Sequence, residues 1–219
     1  MLVRGTPAVH ARGLARRARS RLLQCSGAVL GSGVLLWFSF DTSFFIPLLL
    51  LAAPVCLLAA LGVRRFNVEY LKASTGVRAE ARVARVLGRC PLVAVVHGAL
   101  LGRGDIDHVV LGPRLVAVET KHGRGPVSFD RDGSLRVGSR RLPRDPVAQA
   151  RANAARLGER LGRHADAVVV VVDATSPACR HDGVWVCSLK ELPAVIETLP
   201  ARIDATTAES FARSLPVAG

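Results

Sequence analysis

The sequence predicts a mixed α/β domain preceded by an N-terminal helical hairpin long enough to cross a membrane. Two apolar runs, Leu22 to Phe40 and Phe44 to Val63, carry no charge and are separated only by "DTS". Beyond residue 76, short β-branched runs alternate with helical patterns and end in the fully apolar "AVVVVVD" at 167–173. The net charge of +13 is split: residues 1–65 hold eight arginines against Asp41, or +7, and the remainder contributes +6.

Each apolar run has the roughly 20 residues that a membrane helix needs. Arginines flank only their outer ends, so the positive-inside rule puts both termini in the cytoplasm and the 41–43 turn outside. A cleavable signal peptide fits the basic start but not the second run or the Arg64-Arg65 stop. A single span or a half-inserted hairpin is the alternative. The expected organisation is a basic cytoplasmic N-terminus at 1–21, two spans at 22–63, a linker at 64–75, the main domain at 76–200 and a C-terminal helix and tail at 201–219. The five cysteines form no CxxC pair and have no metal-ligand spacing, so they read as reduced thiols.

After the linker, Ala79, Val83, Val86 and Leu87 form the apolar stripe of a helix, with Glu80 at its border and Arg78, Arg82, Arg85 and Arg89 on the far side. That arginine row suits solvent or nearby lipid head groups, or else phosphates. Strands are expected at Leu92–Val96, Ile106–Leu111, Leu115–Thr120, Val127–Phe129 and Ser134–Val137, the last two joined by the turn "DRDG". A helix follows with Asp145 as N-cap and Pro146 at its first position, and Ala150, Ala154, Leu157 and Leu161 as its core stripe. Beside that stripe Gln149, Asn153, Arg156 and Arg160 align, either as a solvated face or as a row that follows a phosphate backbone. Buried strands at 167–173 and Val184–Leu189 come next, then helices near Leu192–Leu199 and Thr206–Ser214.

The charged strand pair "GDIDHVVLGPRLVAVETKHGRG" raises the functional question. Glu119 and Lys121 are two apart and leave one face. A hairpin centred on Pro113 sets Asp107 opposite Glu119 and Asp105 opposite Lys121, with all four on that face. Adjacent carboxylates repel unless a cation neutralises them, and Mg²⁺ suits an all-oxygen set, with Mn²⁺ second. Lys121 is then left to orient a water or to stabilise charge on a phosphate. The competing reading is a structural ion pair between Asp107 and Lys121.

An acidic residue, a hairpin turn and then ExK resemble the PD-(D/E)xK nuclease superfamily. More closely, "TGVRAEARVARVL", "GDIDHVVLGPRLVAVETKHGRG" and "DPVAQARANAARLGERL" resemble the nuclease-related domain, NERD, over about residues 74–172. The resemblance implies a restriction-endonuclease-like mixed sheet flanked by helices. Glu80, Asp107 and Glu119 would then be metal ligands, and these three with Lys121 the catalytic set. The expected protein is then an enzyme held at the cell membrane by its two spans, with nucleic acid as partner, DNA ahead of RNA, and the aligned row Gln149, Asn153, Arg156 and Arg160 as its contacts. Asp105 is secondary in that pattern. His108 belongs to its "IDH" wording, but strand alternation turns it to the opposite face, where a structural hydrogen bond competes with catalysis. The alternative function is a non-catalytic module that recruits nucleic acid or protein to the membrane.

Overall fold

The computed structural model describes residues 1–40, 45–102, 104–201 and 203–218. It divides into two compact units, Ala11–Thr75 and a second formed by Met1–His10 together with Gly76–Gly219.

The Ala11–Thr75 unit contains most of two helices, α1 (Val9–Ser39) and α2 (Phe45–Leu87). Both are long and apolar enough to cross a membrane, and their most apolar stretches are unburied by protein. Leu30, Leu35, Trp37, Phe38, Leu50, Leu51 and Leu58 are all exposed, an apolar display of the kind that marks a protein or membrane contact. The helices touch where a side chain at Gly62 would come within 2.7 Å of Cys25 Sγ, and Arg21 lies 5.5 Å over the Phe66 ring. The expected turn at 41–43 lies outside the described residues. The expected linker at 64–75 is instead helical, because no proline interrupts α2 beyond Pro54 and isolated glycines at 62 and 76 only weaken a helix.

The other unit is a sheet between two helical layers. Its strands are β1 (Leu2–Arg4), β2 (Ala94–Leu100), β3 (Asp105–Leu111), β4 (Leu115–Gly125), β8 (Asp166–Ala174), β9 (Cys179–His181) and β10 (Val184–Ser188), in the order β1-β2-β3-β4-β8-β10-β9. Three shorter strands, β5 (Val127–Phe129), β6 (Leu135–Val137) and β7 (Arg140–Arg141), form a separate sheet. The β2–β3–β4 meander is antiparallel, whereas β4, β8 and β10 run parallel. This is the mixed α/β class the sequence predicted.

The apolar run of β8 is explained by burial on both faces. Val168, Val170 and Val172 join Ala79, Val83 and Leu87 of α2 and Leu192, Val195 and Ile196 of α4 (Leu192–Thr198) in one core. Val169 and Val171 face the other way, into the core shared with α3 (Pro146–Leu161) and α5 (Ala205–Ser214). The Asp145 carboxylate caps α3, accepting from the N–H groups of Val147 at 3.0 Å and Ala148 at 3.1 Å. Gly162, left-handed at φ +61°, ends it.

The strand expected at Leu92–Val96 begins two residues later and runs on to Leu100, because His97 continues the pairing opposite His108. β1 lies in the basic N-terminus that was expected to be a separate cytoplasmic segment.

Candidate active site

The β3–β4 hairpin places the charged residues. Its pairs His108–Val118, Val109–Ala117, Val110–Val116 and Leu111–Leu115 centre the turn on Pro113, and Gly112 N–H closes it on Arg114 O at 3.0 Å. Continued by one residue, that register sets Asp107 beside Glu119. The junction is fixed by a hydrogen bond of 2.7 Å from Thr120 N–H to Asp107 Oδ2.

Glu119 follows Leu115 and Ala117 on the face that packs against α3. Only 2% exposed, it is held at both oxygens. Lys121 Nζ lies 2.5 Å from Oε1, and Asn153 Nδ2 donates to Oε2 at 3.1 Å. Lys121 also donates to Gln149 Oε1 at 3.3 Å. Arg156 donates to Asn153 Oδ1 and, at 2.9 Å, to the Leu101 carbonyl. Gln149, Asn153 and Arg156 therefore turn inward and hold the ExK pair, rather than lying along a solvated face. Arg160, fourth in the row, is exposed and lines a different groove.

Glu80 enters from the opposite layer, since the stripe of α2 beside it packs on the other face of the sheet. The Ala8 backbone lies beside its carboxylate and favours the charged form, a proximity with no signal in the local sequence pattern. Glu80, Asp105, Asp107, Glu119 and Lys121 line one cavity of about 800 Å³ together with Gln149, Asn153 and Arg156. Thr120, Arg144 and His10 also line it, and the sequence reading had singled out none of them.

Electrostatics mark this cavity as strained without a counter-charge. Burial pushes Glu80 up to about 7, reinforced by Asp105 and Glu119 and opposed by Ala8 N–H and Lys121. Asp107 is raised well above the usual carboxylate range by burial, then by Glu119 and Glu80. Glu119 is raised by burial despite the Lys121 ammonium beside it. An all-carboxylate oxygen set of this kind fits the chemistry of a hard divalent cation. The oxygens are engaged by protein donors, however, and no three His, Cys, Asp or Glu groups among the described residues converge as a ready ligand cage.

His108 lies elsewhere. Its Nδ1 is 2.7 Å from His97 Nδ1 across β2 and β3, and the ring is fully buried on the face away from Asp107. Burial holds both imidazoles below the ordinary histidine range, and the His97 ring adds to the lowering of His108. Of the exposed arginines on the first domain helix, Arg82 pairs with Asp173 at 2.7 Å.

Residues 75–174 match the family model described as the nuclease-related domain. No curated protein and no solved structure matches the chain.

Proposed function

We propose, from the match of residues 75–174 to the model of the nuclease-related domain, NERD, that this chain is a membrane-anchored, Mg²⁺-dependent nuclease that hydrolyses phosphodiester bonds. The observation that carries the reading is the cleft in which a carboxylate pair across a hairpin, Glu119 of it buried, meets a lysine and a third carboxylate from another layer.

Glu80, Asp107 and Glu119 would hold the cation, with Mn²⁺ as a substitute for Mg²⁺. When bound, it supplies charge neutralisation and Lewis acidity at the scissile phosphate. Lys121, held by Glu119 and Gln149, orients the attacking water and stabilises developing negative charge. Asn153 fixes the free side of Glu119, and Arg156 fixes Asn153. Nucleic acid, DNA ahead of RNA, would meet exposed cations at the cleft, Arg144 among them, while Arg160 remains available from the α3 row. Two spans would anchor the domain in the cell membrane with both termini cytoplasmic. Met1–His10 fold into the same unit as Gly76–Gly219, which supports an even number of crossings between them.

A second reading, a scaffold that binds nucleic acid or protein without cleaving, is favoured by the engagement of the carboxylates with protein donors. The two separate on the full-length protein in detergent, incubated with single- and double-stranded DNA and RNA in Mg²⁺ or Mn²⁺. The nuclease reading expects cleavage that chelator stops and that Glu119→Gln lowers by about 10² or more. Binding without cleavage, indifferent to chelator, selects the scaffold.

A further inference from the structure

The first ten residues are built into the catalytic unit with more care than a short basic tail needs. A three-residue strand is at the lower limit of strand length, yet β1 pairs in parallel with Ala94, Val95 and Val96, and Leu2 N–H bonds to Val93 O at 2.8 Å. The Arg4 guanidinium donates to Ala212 O at 2.5 Å, Arg213 O at 2.5 Å and Leu215 O at 3.2 Å, the open carbonyls at the end of α5. Gly5 sits at φ +75°, and a Cβ there would lie 2.1 Å from the His97 carbonyl oxygen, so only glycine lets the chain pass. Ala8, 3% exposed, takes φ +63°, unusual for a residue with a side chain. These contacts bring the Ala8 amide beside Glu80, after which Val9 and His10 line the same cavity as Glu80. Backbone strain that is held on several sides and ends at a cleft points to a functional demand.

We propose that Met1–His10 is a working part of the site: the strap, seated by Arg4 and Gly5, uses the Ala8 amide to position Glu80 for the cation and walls the cleft with Val9 and His10. This rests on the metal-dependent reading above. Ala8 is a positioning residue acting through Glu80. The strap lies ahead of the first apolar helix and the rest of the site lies behind the second. The site is therefore complete only when both ends of the hairpin are on one side of the membrane and the strap has docked.

The test uses full-length protein in lipid nanodiscs and compares wild type, Gly5→Val, Arg4→Gln, Glu80→Gln and Gly5→Val/Glu80→Gln. Mn²⁺ is titrated while thermal stabilisation is followed, and cleavage is measured in parallel. Displacing the Ala8 amide from beside Glu80 should raise the Mn²⁺ midpoint by about tenfold in Gly5→Val. A smaller rise is expected in Arg4→Gln, which carries the test should Gly5→Val not fold. Gly5→Val should add nothing to the loss already caused by Glu80→Gln. If unfolding temperatures in chelator fall but the Mn²⁺ midpoint does not move, the strap is only a structural strand and the proposal is overturned. If wild type itself shows no Mn²⁺-dependent stabilisation, the metal reading fails and takes this proposal with it.

Discussion

Replacing Glu80 by Gln should stabilise the metal-free protein, and only at neutral to alkaline pH. The ordinary glutamate value is 4.5, and burial raises it in the folded protein to about 7. At about 1.4 kcal/mol per pH unit, ionising this carboxyl in the folded state costs about 3 kcal/mol. The folded state holds its proton longer than the unfolded one, so stability falls as pH rises from 4.5 through 7, and the full penalty is present above 7. Glutamine has the shape of the protonated acid, but it never ionises. Wild type and variant should therefore melt alike near pH 4.5, and the variant should melt higher at pH 8, by ~6–12 °C for a unit of this size. The assay is thermal unfolding of full-length protein in detergent and chelator. It is read from Trp185, half-buried on β10, in a Trp37→Phe background. Saturating Mn²⁺ should reverse the order, because wild type keeps a ligand that the variant lacks. A variant less stable than wild type at pH 8 in chelator, or a gap that is the same at both pH values, would refute the idea that this cleft stores carboxylate repulsion for a cation.

Three further outcomes are expected. The buried His97–His108 pair is held neutral, so its contribution is present above the unfolded value of 6.5 and is lost as pH falls below it. The double variant His97→Gln/His108→Gln should flatten that acid-side fall in unfolding temperature, and an unchanged slope would rule the pair out as its source. Arg144→Gln with Arg160→Gln should flatten the dependence of log nucleic-acid affinity on log salt by about 1–2 units with Mn²⁺ binding intact; no change would remove both from the phosphate path. In a cysteine-free background, Ser43→Cys should react with an impermeant reagent from outside the cell, while cysteines near residues 10 and 70 should not. External labelling at either of the latter would overturn the two-span topology.

What the sequence determined by itself was mostly local and periodic. Strand alternation and a turn centred on Pro113 were enough to set Asp107 beside Glu119, because a hairpin that buries one face cannot slip by a residue without turning its apolar set outward. The Asp145 cap, the stripe Ala79, Val83 and Leu87, and the doubly buried β8 followed from spacing and residue type in the same way. The inward turn of Gln149, Asn153 and Arg156 was not legible, since a polar row beside a core stripe looks the same whether water or a buried glutamate lies opposite. Nor was the strap: three residues of β1 carry no periodicity, and their meaning comes from a sheet edge at Ala94–Val96, α5 carbonyls at Ala212–Leu215 and a glutamate at position 80, all distant in sequence. Local pattern reports which face of an element is apolar. Which charged groups meet, and how many donors surround each carboxylate, depends on contacts between segments many residues apart, and only the folded chain decides those.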